Sequence, residues 1–172
     1  MTISIKPTAS GSTIEQDGST ILTVDGSGNI TPSNNLYPKV PAFIAYNDGT
    51  QSLSAATSTK LVFDHEEADT ENAYDTTNYR YTPTVAGYYQ INAKVYYTAT
   101  SNPFVMLFKN STNVNRLGGA GSGALGMQGG SALVYMNGTT DYLEVYAYNN
   151  LAITLGAGAS NLMYFNGFLV SV

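Results

Sequence analysis

The chain has 172 residues, a formal charge of −5 and no cysteine. Disulfides, thiol catalysis and Cys-ligated zinc are thereby excluded, and the lack of any basic cluster argues against nucleic acid as a partner. Hydrophobic residues make up 43% of the chain but charged ones only 11%, so a core is affordable while the surface must draw its polarity from Ser, Thr, Asn and Gly. That composition suits a protein partly hidden in an oligomer, or an extracellular or virion protein.

Residues 1–40 carry apolar side chains singly or in pairs (Ile3, Ile5, Ile14, Ile21, Leu22, Val24, Ile30), separated by turn signals such as Asp17-Gly18 and Asp25-Gly26-Ser27-Gly28-Asn29. Such a segment cannot bury enough surface to order itself. It reads as an extended stalk or docking segment held by other chains. Pro38-Lys39-Val40-Pro41 reads as an extended link, because each proline biases its predecessor away from helix.

From residue 41 the strand signals are dense. Strands are expected near 42–46, 60–64, 79–82, 87–97, 103–109, 131–136, 141–149, 151–155 and 161–171, rich in Tyr, Phe, Val and Ile. No segment shows a helical period, so the fold class is all-β, a sandwich or barrel. The glycine-rich stretches Leu117–Gly130 and Gly156–Ser160 read as loops. They have no Lys-Ser/Thr to make a phosphate loop. Gly87 and Gly167 sit beside aromatic residues where two backbones are expected to pass closely.

Seven segments in order carry a resemblance: Ala42-Phe43-Ile44-Ala45, Val62-Phe63-Asp64, Asn72-Ala73-Tyr74-Asp75, Tyr79-Arg80-Tyr81-Thr82-Pro83 leading to Ala86-Gly87-Tyr88-Tyr89-Gln90-Ile91, Leu107-Phe108-Lys109-Asn110, Thr140-Asp141-Tyr142-Leu143-Glu144-Val145, and Phe165-Asn166-Gly167-Phe168-Leu169. Their order and spacing resemble the globular head of complement C1q. The resemblance implies a C1q/TNF-like jelly-roll β-sandwich of about ten strands over residues 41–172, assembled as a compact homotrimer. The chain departs from secreted eukaryotic members in lacking a Gly-X-Y repeat and cysteine, and its first residues have no apolar signal-peptide core. Ile21-Leu22-Thr23-Val24-Asp25-Gly26-Ser27-Gly28-Asn29-Ile30 looks like segments of phage tail-fibre and head-fibre proteins.

Candidate chemistry is sparse. The single histidine, His65, has no nucleophile elbow near it and reads as a solvated loop residue. Residues 64–75 hold six of the twelve acids. They read as an exposed acidic loop in which Asp64, Glu66, Glu67 and Asp69 are the candidate ligands for calcium, a cation that takes several oxygens from flexible loops. Tyr96, Tyr146 and Tyr148 are candidates for a trimer interface or for glycan contact, because tyrosine offers an apolar ring and a wet hydroxyl.

The sequence therefore predicts a non-enzymatic virion structural protein needing no cofactor: a phage short fibre, head fibre or capsid decoration protein. It is expected to be made in the host cytoplasm and to lie on the particle surface. Residues 1–40 would dock on capsid or tail proteins, and the head would project towards a cell-surface glycan. No membrane insertion is expected, since no run reaches about 18 apolar residues. Two readings compete: a secreted or surface C1q-like adhesion or lectin module, and a polysaccharide-degrading tail spike whose paired carboxylates would hydrolyse glycosidic bonds.

Overall fold

The computed structural model describes residues 3–32, 40–101, 103–119, 124–156 and 162–172. Two compact units divide the chain, Met1–Lys39 and Val40–Val172. Among the described residues all regular structure is β.

The first unit is not bare extended chain. β1 (Ile3–Thr8), β2 (Gly11–Gln16), β3 (Ser19–Asp25) and β4 (Ile30–Pro32) form an antiparallel meander in the order β1-β2-β3-β4. Its turns explain why the strands fold back here. Asp17 and Gly18 both take positive φ (48° and 84°) between the paired residues Gln16 and Ser19, the two-residue hairpin that Asp-Gly favours. The Asp25 carboxylate accepts from the backbone N–H groups of Ser27 (2.8 Å) and Asn29 (2.9 Å) to close the next turn. No residue of β2, β3 or β4 is fully buried. Backbone ladders and turn chemistry, rather than a core, thus define this sheet.

The second unit is a sandwich of two sheets. One runs β6 (Gln51–Leu53), β16 (Ile153–Leu155), β11 (Gly87–Ser101), β17 (Tyr164–Ser171), β5 (Ala42–Tyr46), β8 (His65–Asp69), with β14 (Ala124–Met136) also paired to β11. The other runs β13 (Thr112–Gly119), β12 (Phe104–Lys109), β15 (Leu143–Tyr148), β10 (Arg80–Tyr81), β9 (Tyr74–Asp75), with β7 (Thr59–Lys60) paired to β15. All pairings are antiparallel.

Period-two alternation builds the core. On β11 the odd positions Tyr89, Ile91, Ala93, Val95 and Tyr97 are buried, while the even positions face out. They meet Val105 and Leu107 of β12, Val145 and Ala147 of β15, and Phe43 and Phe165 in one buried cluster. At one end the rings interlock: Phe43 stacks on Tyr81 at 4.0 Å and on Tyr74 at 5.4 Å, and meets Phe165 edge-on at 4.8 Å. The buried phenols still need partners. Tyr74 donates to Phe63 O (2.9 Å), Tyr89 to Val85 O (2.8 Å) and Tyr97 to Phe104 O (3.2 Å).

Two expectations are corrected. His65–Asp69 is not loop but an edge strand paired to β5, its ladder broken by a bulge between Ile44 and Ala45. The glycine-rich stretch is mostly strand as well: Leu117–Gly119 end β13 and residues 124–130 open β14. The glycines are there because backbones touch. A Cβ on Gly118 would lie 2.7 Å from Gly129 O, and one on Gly129 would lie 2.1 Å from Ala93 O. Residues 120–123 of that stretch and 157–160 of the second glycine segment lie outside the described residues. Gly87 and Gly167 do mark close approach, since Cβ atoms there would meet Ser171 O at 2.4 Å and Ile91 Cδ1 at 2.5 Å.

Burial pushes the phenols of Tyr74, Tyr81 and Tyr97 far up, and that of Tyr89 up to about 12, from the ordinary 10.0. A raised folded-state pKa means the native state holds its proton more tightly than the unfolded chain. The associated stability is whole below pH 10 and disappears as pH rises towards 12 and beyond. Urea midpoints measured at increasing pH should hold steady to about pH 10 and then fall, with tyrosinate absorbance of these residues arriving only with unfolding. A complete tyrosinate titration centred near 10 in the folded protein would contradict this packing.

Candidate functional site

The even residues of β11 begin a face that the sandwich does not cover. Cross-strand partners share a face, so the pairs Tyr88–Tyr135, Gln90–Leu133, Asn92–Ser131 and Tyr96–Met127 place β14 beside it. The pairs Gln90–Phe168, Asn92–Asn166 and Lys94–Tyr164 add β17, and Phe168–Ala42, Asn166–Ile44 and Tyr164–Tyr46 add β5. At one end the face is apolar and bare. Tyr88 is 49% exposed, Leu133 57%, Tyr135 49% and Phe168 46%. Tyr88 and Tyr135 lie edge to face at 5.4 Å. Leu133 and Phe168, held open to water on the two strands that flank β11, form with Tyr88 and Tyr135 a patch that soluble monomers avoid and interfaces use.

Towards the other end the face turns polar. Asn92 donates to the Asn166 carbonyl at 2.8 Å. Lys94 places its ammonium 4.9 Å from the centroid of the Tyr164 ring. A shallow hollow of about 410 Å³ opens between Asn92, Lys94, Gln128, Ser131, Tyr164 and Asn166. Its lining offers amide, hydroxyl and ammonium groups but no carboxylate.

A profile of the C1q domain matches residues 42–170. The chain belongs to the C1q domain family. Solved structures agree on the fold. Murine APRIL at pH 8.5 superposes with a TM-score of 0.56 at 11% identity, over 77% of this chain and 100% of that one. The globular domain of zebrafish complement 1qA gives 0.55 at 15%, over 76% and 97%. Eiger TNF from S. frugiperda gives 0.54 at 11%, over 77% and 94%. No curated protein sequence matches the chain significantly. The sandwich is accordingly a C1q/TNF-like jelly roll.

Within this C1q domain the three candidate tyrosines separate. Tyr96 lies half-buried on the β11 face. Tyr146 and Tyr148 lie on the outward face of the opposite sheet, where they pack against Phe108 (4.1 Å) and Phe104 (5.6 Å). The Tyr146 hydroxyl donates to Glu144 Oε2 at 3.3 Å, and Lys60 holds the other oxygen at 2.8 Å. Burial, and after it Glu144, pushes the Tyr146 phenol up. Sequence reasoning missed Tyr88, Leu133, Tyr135 and Phe168. The alternation of Tyr88-Gln90-Asn92-Lys94 against Tyr89-Ile91-Ala93-Val95 was the signal that could have found the first of them.

The acidic segment is also divided. Asp69 is occupied by backbone: Oδ1 accepts from Glu71 N (3.0 Å) and Oδ2 from Tyr74 N (2.6 Å). Asp75 does the same for Thr77 and Asn78, whose side-chain amide first of all holds its carboxyl below the usual range. Glu66 faces Ala45 across the ladder, and Glu67 falls at the bulge. Asp64 groups instead with Asp48 and His65.

Asp69→Ala should lower stability by about 1–2 kcal/mol, because it orphans two backbone donors beside the buried Tyr74 ring. Urea unfolding measures it, and a change below a few tenths would show that these bonds are replaced by water at no cost.

Proposed function

We propose that this chain is a non-enzymatic, homotrimeric C1q-like adhesion module, and that the face formed by β14, β11, β17 and β5 is its subunit interface. The exposed cluster of Tyr88, Leu133, Tyr135 and Phe168 carries the reading. Those side chains lie on a twisted sheet with a buried underside, so the surface is preformed and association costs little ordering. C1q/TNF relatives assemble as homotrimers, and three linked heads convert weak contacts into avidity. The outward aromatic surface of the other sheet, with Tyr146 and Tyr148 beside Phe104 and Phe108, then remains free for a glycan.

We assign the module to a phage particle as a short fibre, head fibre or decoration protein, its first unit docked on capsid or tail proteins. Support comes from the low charge, from the fibre-like segment Ile21–Ile30, and from a first unit that has strands but no fully buried residue in β2–β4. Particle proteomics combined with immunogold labelling of the head tests this assignment. A chain found only in culture supernatant or on cells would favour a secreted or surface module instead.

Light scattering of the full-length protein should give three times the 18.3 kDa chain mass. Leu133→Glu and Phe168→Glu, at exposed positions, should yield folded monomers, because burying a carboxylate against an apolar partner costs several kcal/mol. A parent protein that is monomeric at micromolar concentration, or glutamate variants that remain trimers, would refute this interface.

A further inference from the structure

The meander of the first unit has two unlike faces. Cross-strand partners point the same way, so the register gives each face row by row. One row reads Ile5, Ile14, Leu22, Pro32, and the next on that face reads Pro7, Ser12, Val24, Ile30. On the opposite face the intervening row reads Lys6, Thr13, Thr23, Thr31. Glu15 shares this second face and is ion-paired to Lys6. The first face thus holds apolar side chains and no charge in these rows. Its apolar groups are left open: Ile5 is 70% exposed and Ile30 65%, while Ile14, Leu22 and Val24 are only half-buried.

A segment of about thirty residues lies below the size at which a chain orders itself by its own core. Disulfides cannot make up the difference, because the chain has no cysteine. Association can, and three observations choose the partner. An uncharged face meets an identical copy without like-charge repulsion and carries no charge with which to select an unlike protein. C1q/TNF relatives are homotrimers. Residues 33–39, which join β4 to the second unit, span at most about 25 Å. Three joined heads therefore hold three first units at an effective concentration on the order of millimolar.

We propose that the face bearing Ile5, Ile14, Leu22, Val24 and Ile30 packs against the same face of the first units of two sister chains, so that three sheets share one apolar core. The inference rests on the homotrimeric reading of the head. Each chain contributes five large apolar side chains to the shared core, and the row Lys6-Thr13-Thr23-Thr31 turns outward to water. Docking on a particle then falls to that polar face and to the turns at Asp17-Gly18 and Asp25–Asn29.

The absence of native cysteine makes single thiols a clean probe of this arrangement. In the full-length protein, Ile5→Cys should react with a maleimide about tenfold or more slowly than Thr23→Cys, at an exposed position on the opposite face. The two should react alike in urea. Ile5→Glu supplies a second measurement. In an unpartnered sheet it changes a side chain already in water and has little effect. In the packed arrangement it should strip hydrogen-exchange protection from residues 3–32 while light scattering still gives three chains. Equal labelling of the two thiols in a trimeric protein overturns this packing and leaves the head trimer standing. Ile5→Cys labelling that slows only when purified capsids or tails are added also overturns it, and assigns the face to a particle protein. A monomeric chain overturns the packing and the homotrimer together.

Discussion

The second unit depends on the two-sided burden of β11. This strand is hydrogen-bonded to β14 along one edge and to β17 along the other. Its odd residues fill the core and its even residues define the open face. A slip of one residue against either neighbour would drive Gln90, Asn92 and Lys94 inward and expel Ile91 and Val95. Each buried apolar side chain is worth about 1.5–3 kcal/mol, so such a slip is prohibited by the core alone. Register, core and candidate interface are therefore one choice made in one strand. The glycines at 87, 129 and 167 serve the same choice, because each lets a neighbouring backbone or side chain approach β11 more closely than any Cβ allows.

The parts of the fold legible in the sequence are those where alternation meets large side chains. β5, β11 and β17 alternate, β12 and β15 do so only in part because each is buried at three successive positions, and all five supply core residues. β8 was not legible for the opposite reason. His65-Glu66-Glu67-Ala68 has polar groups on both faces and is exposed throughout. It is a strand only because β5 offers it an unpaired edge, and charged residues are what a safe edge carries. The start of β14 escaped in a different way. Gly-Met-Gln-Gly-Gly has no side-chain pattern to read, since Gly129 and Gly130 answer to backbones on β11 and β13.

The site was less legible than the fold, and the tyrosines show why. Fourteen of them are spread over the chain, and residue type does not report the direction in which a ring points. Tyr88 and Tyr89 are neighbours in sequence, yet one is open to solvent and the other is wholly buried. Only the identity of the residues two and four positions on distinguishes them. On β15 the same parity rule holds, but both faces of that strand are packed: Val145 and Ala147 look into the core while Tyr146 lies over Phe108. A tyrosine half-buried by its own sheet is a weaker anchor for a partner subunit than a phenylalanine left bare.

Charge is where the consequences of the sequence depend most on the turns. Seven cationic side chains cannot balance twelve acids, so some carboxylates must find other company. The structure gives them backbone N–H groups. Asp25, Asp69 and Asp75 each close a turn with two such bonds, and Asp141 gathers Lys109, Asn110 and the Asn137 N–H around one carboxylate. A carboxylate with two or more donors is satisfied without a counter-ion and has few lone pairs left to offer a metal. Applied to the acidic segment, that rule removes Asp69 from the candidate ligands and leaves Asp64, Glu66 and Glu67. Density of acids in the sequence thus does not report which carboxylates keep free lone pairs, because that capacity is fixed only once the turns have formed.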